Sequence, residues 1–272
     1  YEALGDVERA ADAYIDAGRA VHAARLLSEN GKWGEAARVY ASLDQDDRAA
    51  EMYVKEGKYA EAADIFKRID RPDAAADVLA QGDLIAQAAA LNEEIDRLAL
   101  AAEQYESIGR VDRALALYER AGDWQHVARL AEAESDWMRL SEALSQLEQP
   151  ARAAQAYERA GQPERALELY ETAQQWEKVK TLAGDLALWE RQARALERLD
   201  WLSQAGEAYE RAAEALPKIE ENAHELARFY EAAERCYTTD GDRQRARRCR
   251  DNVRHYRKLP NLRGRLEVKA AF

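Results

Sequence analysis

One position recurs every thirteen residues along most of this chain, and that period constrains the fold more than any other feature. Glycine or aspartate most often occupies it, and both residues are common where one helix ends and another begins. Counting from Gly5, the period runs through sixteen repeats without an insertion or a deletion. The repeats start at Gly5, Gly18, Gly31, Asp44, Gly57, Asp70, Asp83, Asp96, Gly109, Gly122, Ser135, Glu148, Gly161, Gln174, Ala187 and Asp200.

Apolar residues occupy fixed places within each repeat, counted with the starting residue as place one. Place six is usually alanine, and place ten is usually tyrosine, phenylalanine or leucine. Spacings of three and four residues put such places on one helix face, so we predict that they form the core. The tryptophans at place three share this stripe and are predicted to be core residues too. The predicted core includes Ala36, Tyr40, Ala49, Tyr53, Ala62, Phe66, Ala101, Tyr105, Tyr118, Ala153, Tyr157, Tyr170 and Tyr209.

These patterns predict an all-α fold, a right-handed α-α superhelix of sixteen short helices with a longer helical hairpin that closes it. A helix of about ten residues is not stable alone in water, so consecutive helices must stack. We expect three parts: the array at 1–212, the closing hairpin at 213–258, and a tail or the start of a following domain at 259–272. Pro260 is predicted to end the last helix.

Charge is unevenly distributed along the chain. The net charge is −12, yet residues 242–272 hold eleven Lys or Arg and three acidic residues, so the rest carries −20. A strongly acidic body disfavours nucleic-acid binding. We predict that the arginine-rich run 243–258 caps the array and that its arginines face acidic protein surface. The apolar face of this capping helix is predicted to comprise Ala246, Cys249, Val253 and Tyr256.

Motifs for catalysis or cofactor binding are absent from the sequence. It has no phosphate-binding loop, dinucleotide fingerprint, zinc-protease motif or nucleophile elbow. Cys236, Cys249 and His255 lack the spacing of a common zinc site. No apolar run is long enough to cross a bilayer, and two cysteines imply no disulfide framework. We therefore expect a non-enzymatic cytoplasmic protein without cofactor or metal, and, because the chain starts at Tyr1, a piece of a longer one.

The recurring alanine, tyrosine and glycine resemble those of tetratricopeptide-type repeats. The resemblance is closer still to the short-helix solenoids of vesicle-coat and ciliary-transport subunits. It implies an α-solenoid used for protein association. Two repeats here span 26 residues, whereas a standard tetratricopeptide hairpin has about 34, so no binding residue is transferred. The residues that carry the resemblance are Ala36 and Tyr40; Ala49, Tyr53 and Gly57; and Ala153, Tyr157 and Gly161.

The predicted function is that of a non-catalytic interaction scaffold, an arm of a larger multidomain protein. Its partner would be a protein, a peptide or other domains of the same chain. One alternative is a sensor or regulatory arm of an attached NTPase or effector, since similar arrays occur in large bacterial signalling and defence proteins. Another is RNA binding through the basic C-terminal segment. The candidate interaction residues are Trp201, which lies outside the tryptophan column, and Arg247, Arg248, Arg250 and Arg254.

Overall fold

Short α-helices joined by tight turns make up the structure. The computed structural model describes residues 6–270, with side chains for 6–219 and 221–258. Within this range we find helices and no strand, so the predicted all-α solenoid of short helices is confirmed. The helices are α1 Val7–Asp16, α2 Ala20–Glu29, α3 Trp33–Ser42, α4 Asp46–Glu56, α5 Tyr59–Arg68, α6 Pro72–Gln81, α7 Ile85–Glu94, α8 Leu98–Ser107, α9 Val111–Ala121, α10 Trp124–Ala133, α11 Trp137–Gln146, α12 Pro150–Arg159, α13 Pro163–Thr172, α14 Trp176–Asp185, α15 Trp189–Arg198, α16 Leu202–Ala215, α17 Ala223–Asp240 and α18 Arg243–Ala270.

The residue that starts each repeat adopts the left-handed backbone conformation. This holds for all fifteen such residues from Gly18 to Asp200, with φ between 55° and 82°, and nine of them are not glycine. The next N–H then reaches back to the place-ten carbonyl, at 2.9 Å from Lys58 to Tyr53 and at 2.9 Å from Gln175 to Tyr170. This bond closes the helix end as a Schellman motif. The thirteen-residue period is therefore a repeated helix stop.

The same residue does not begin the next helix, and that part of the prediction was wrong. The N-cap is the residue after it, as Lys58 is after Gly57 and Gln175 is after Gln174. Most N-caps, Lys58 and Gln175 among them, form no side-chain capping bond, whereas Asp123 and Asp136 each accept a backbone N–H. Prolines fit as expected at the first helical position of their helices, namely Pro72, Pro150 and Pro163.

The chain divides into two compact units, an N-terminal unit Tyr1–Ala131 and a C-terminal unit Glu132–Phe272. In each of them place-six alanines lie fully buried between helices, as Ala62 and Ala166 do. Among the predicted core residues Tyr53 is half-buried and the others are buried. Small side chains at place six allow close helix approach, and the place-ten rings fill the remaining space. The division at 212 and 258 expected from the sequence remains a proposal.

Helices α17 and α18 form the closing hairpin. The predicted apolar face of α18 is confirmed, since Ala246, Cys249, Val253 and Tyr256 are all buried. The prediction that Pro260 ends this helix was wrong, because α18 continues to Ala270. Inside a helix, proline removes one N–H donor and its ring clashes with the carbonyl of residue i−4, which can kink a helix without ending it.

We expect enlargement at place six to destabilise the array where it is made. Ala62→Leu should lower the free energy of unfolding by roughly 1–3 kcal/mol, because the buried site has no room for the added atoms. The neighbouring exposed residue provides the control, and Glu61→Ala should change it by less than about 0.5 kcal/mol. Urea unfolding of both variants measures this, and equal losses would contradict the assignment of faces.

Candidate functional site

Glutamates at place eleven connect successive helices. From Glu93 to Glu210 this place is glutamate in eight of ten repeats, the exceptions being Ser145 and Gly184. An arginine at place five, two repeats further on, binds such a glutamate in both compact units. The Nη2–carboxylate distances are 2.9 Å for Arg113–Glu93, 3.8 Å for Arg152–Glu132 and 2.8 Å for Arg191–Glu171.

Tyrosines at place ten of the following repeat donate to other place-eleven glutamates, not to the three that these arginines bind. The hydroxyl of Tyr118 lies 3.2 Å from Glu106, and that of Tyr209 lies 2.8 Å from Glu197. Tyr170 donates to Glu158 in the same way. Burial, together with the neighbouring Glu106, raises the pKa of Tyr118 to about 12. We call this arrangement of place-eleven Glu, place-ten Tyr and place-five Arg the glutamate network.

The charge on Glu197 is held in place by its partners. Burial alone would raise the pKa of this carboxyl, but hydrogen bonds from Arg235, Tyr209 and Cys236 outweigh burial and lower the pKa. Arg235 lies on α17, at 2.7 Å from Glu197. The glutamate network therefore connects α15, α16 and the closing hairpin.

At one position in the C-terminal unit all three members of the glutamate network are replaced. Gly184 takes the place of the glutamate, Leu196 that of the tyrosine and Gln204 that of the arginine. These three residues line a groove of about 770 Å³ between α14, α15 and α16. Removing the large side chains leaves open space where the network fills it elsewhere. We call this the α14–α16 groove.

The side chain of Gln192 occupies part of the space beside Gly184. Its Nε2 would lie 2.5 Å from a Cβ placed on that glycine, and it donates to the Lys180 carbonyl at 3.3 Å. Gln192 is a flexible side chain that also lines the groove, so a ligand atom can replace it.

Aromatic and charged side chains form the walls and rim of the α14–α16 groove. The guanidinium of Arg211 lies 5.4 Å from the ring centre of half-buried Trp189. Trp201 lies beside the rim and is 41% exposed. Lys180 Nζ lies 4.0 Å from the centre of its ring. Asp185 and Glu207 add negative charge to the lining. The groove therefore offers one aromatic ring, that of Trp189, with charge of both signs around it.

The place-three tryptophans are half-buried, and Trp33, Trp176 and Trp189 pack against the buried core, so the prediction that they are core residues holds only in part. Each is the first residue of its helix. In all but Trp124, a cation from place twelve of the next repeat lies over the ring. The distances to the ring centres are 4.9 Å for Lys55 over Trp33, 4.7 Å for Arg159 over Trp137 and 5.6 Å for Arg198 over Trp176.

The predicted interaction residues lie at two places in the C-terminal unit. Trp201 is beside the α14–α16 groove, whereas the four arginines are exposed on α18. Arg248 binds Glu210 at 2.6 Å, Arg250 binds Glu234 at 2.6 Å, and Arg254 lies 3.7 Å from Asp251 on its own helix. Among the described side chains, no carboxylate lies within salt-bridge distance of Arg247.

Neither a metal-binding cluster nor a membrane-spanning helix occurs in the described part of the chain. It contains no group of three or more His, Cys, Asp or Glu side chains arranged to hold a metal ion. No described helix is long and apolar enough to span a bilayer. Cys236 and Cys249 are buried, unpaired thiols, and burial raises the pKa of each to about 12. Both thiols are therefore protonated and unreactive at neutral pH.

The fold and the repeated networks define a helical-repeat protein of the α-solenoid class. A family model described as "SNAP: Soluble NSF attachment protein, SNAP" matches residues 4–170. The chain belongs to this family. The match ends before α14, so the residues of the α14–α16 groove lie outside it. A comparison with curated proteins gave no match.

Solved structures similar to this chain are also helical-repeat proteins. BtubC from P. vanneervenii is 22% identical over 94% of this chain and 92% of that one, with a TM-score of 0.26. TPR-like repeats of a putative kinesin light chain from Podosopora anserina are 20% identical over 74% and 94%, with a TM-score of 0.26. Part of a TPR repeat-containing protein from Cytophaga hutchinsonii is 17% identical over 85% and 92%, with a TM-score of 0.24. Sequence identities and TM-scores as low as these give no information on function.

The tyrosines of the glutamate network should make stability sensitive to alkali. A tyrosine in the unfolded chain ionises near pH 10, whereas Tyr118 in the folded protein has a pKa of about 12. Its contribution is therefore fully present below about pH 10 and is lost as the pH rises towards 12. When the pH is raised from about 9 to about 11, the melting temperature of the wild type should fall further than that of the Tyr118→Phe variant. Equal falls would show that this hydroxyl does not contribute.

Proposed function

We propose that this protein is a non-catalytic interaction scaffold, and that its α14–α16 groove binds a peptide segment of a partner protein. The observation that supports this most strongly is the joint replacement of three network residues by Gly184, Leu196 and Gln204. Elsewhere a single place is replaced and the remaining pair still forms, as with Ala183 at place ten where Arg191 binds Glu171. Replacement of all three leaves an open surface with its remaining polar groups near solvent.

The chemistry of the groove suits a peptide with an apolar anchor. Leu196 and Ala208 supply buried apolar surface, and Trp189 supplies an aromatic wall. Lys180 already binds Glu177 at 2.7 Å and Glu207 binds Arg245 at 2.6 Å. Arg211 and Asp185, which also line the groove, form no salt bridge among the described side chains and can pair with residues of either charge that flank the anchor. Buried apolar anchors surrounded by polar contacts are typical of protein recognition sites.

Family membership supports a role in association. The family's description, soluble NSF attachment protein, names attachment to another protein. We propose that this chain acts as an arm within a larger protein, joining a partner to neighbouring domains. We place it in the cytoplasm, because Cys236 and Cys249 are buried without a disulfide and free thiols persist in reducing compartments.

A groove-filling variant tests this function. Gly184→Glu, Leu196→Tyr and Gln204→Arg together restore the network residues found in other repeats. We expect the triple variant to remain folded and to melt close to the wild type. Replacing a glycine within a helix gains about 1 kcal/mol, and this gain and the restored contacts offset the cost of displacing Gln192 and of enlarging buried Leu196. Thermal unfolding followed by circular dichroism measures it, and a clearly lower melting temperature would contradict the network assignment.

Peptides selected from a random displayed library against the wild-type protein supply the binding assay. Selected peptides should bind the wild type and should lose at least about tenfold in affinity for the triple variant, as measured by fluorescence anisotropy. The matched control is Glu61→Gln, an exposed change in the N-terminal unit that should not alter affinity. Failure to enrich any peptide, or equal binding to the triple variant, would refute the proposal.

A further inference from the structure

The end of the C-terminal unit departs in charge from the pattern that builds it. Within this unit, arginines of a later helix bind glutamates two helices earlier. Helix α17 contacts α15 through Arg235–Glu197 at 2.7 Å and Arg228–Glu190 at 3.2 Å. Helix α18 contacts α16 in the same direction. Its two pairs are Arg245–Glu207 at 2.6 Å and Arg248–Glu210 at 2.6 Å.

A further helix of the same kind would need free glutamates on α17, and two of them are already in use. Glu234 binds Arg250 of α18 at 2.6 Å, and Glu231 binds Arg257 of α18 at 2.5 Å. The groove of about 610 Å³ beside these helices is instead lined by Arg243, Arg247, Arg250 and Arg254, with Thr238, Gly241, Ala246 and Asp251. We call it the arginine groove.

Two of its arginines have no carboxylate partner among the described side chains. Arg243 and Arg247 are exposed, and neither forms a salt bridge there. With Arg250 and Arg254 they follow the spacing i, i+4, i+7 and i+11, which is one face of a helix. This face extends about 17 Å at 1.5 Å per residue. The arginine groove is thus a row of cations whose charge is only partly balanced.

We propose that the arginine groove binds an acidic amphipathic helix of a partner protein. The partner helix would lie beside α17 and α18 with its carboxylates facing the arginine row. Carboxylates spaced by one helical turn match the guanidinium spacing, and arginine pairs with carboxylates through two parallel hydrogen bonds. The reversed charge favours such a helix over another repeat of this array, which would bring arginine towards arginine.

The lining of the groove favours a helix over RNA. None of its lining residues is aromatic, so unpaired bases would have no ring on which to stack. Asp251 lies among the arginines and would repel a phosphate backbone, whereas a peptide can place an amide or a lysine beside it. This site is separate from the α14–α16 groove, with no residue in common.

The test uses the whole chain and a labelled, alanine-rich helical peptide of about sixteen residues with glutamates at i, i+4, i+7 and i+11. Its twin carries glutamine at those positions, and an oligouridine of about the same length represents RNA. In fluorescence anisotropy at about 0.1 M salt, the glutamate peptide should bind at least about tenfold more tightly than its twin. The double variant Arg243→Gln/Arg247→Gln should abolish that preference without lowering the melting temperature.

A matched control has the same change in net charge. Arg19→Gln/Arg110→Gln alters two exposed arginines of the N-terminal unit and should keep the preference for the glutamate peptide. The groove-filling triple variant should keep it as well, so that failure of this proposal and failure of the peptide groove are distinguishable. Equal binding of the two peptides would overturn the proposal. So would loss of oligouridine binding in the Arg243→Gln/Arg247→Gln variant with the peptide preference unchanged.

Discussion

The left-handed turn at every thirteenth residue is the constraint on which the rest of the structure depends. Its backbone bond, as from Gln175 to Tyr170, stops each helix after about three turns. Because the stop recurs without insertion, equivalent places of different repeats can form equivalent contacts, as in Arg113–Glu93 and Arg191–Glu171. The buried alanines, the tyrosine–glutamate bonds and the arginine–glutamate bonds all follow from this fixed register.

With the helix register fixed, substitutions at a few places change the surface locally and leave the stack of helices intact. Where Gly184, Leu196 and Gln204 replace the glutamate network, the stack continues and a groove opens beside it. Where α18 carries arginine in the row from Arg243 to Arg254, the end of the C-terminal unit becomes basic although most of the chain is acidic. At both proposed binding sites, side chains differ from the repeat pattern while the helical backbone continues.

Much of the fold could be predicted from the sequence, because a stop signal and a place-six alanine act locally. Ala62 and Tyr118 are buried as the helical spacing indicates. The half-burial of Trp33 could not be predicted, since it depends on where the neighbouring helix ends. The α14–α16 groove was missed for another reason. The sequence shows this groove only through a missing side chain, which is noticed when Gly184 is compared with the glutamates at the same place in other repeats.

The residue that starts each repeat adopts left-handed φ even where it is not glycine. Ala187 has φ of 56°, a conformation that strains an alanine and not a glycine. Chemical unfolding of Ala187→Gly measures this directly, with exposed Ala86→Gly inside α7 as the control. The account predicts that Ala187→Gly stabilises the protein by roughly 1 kcal/mol while Ala86→Gly destabilises it. Destabilisation by both substitutions would contradict it.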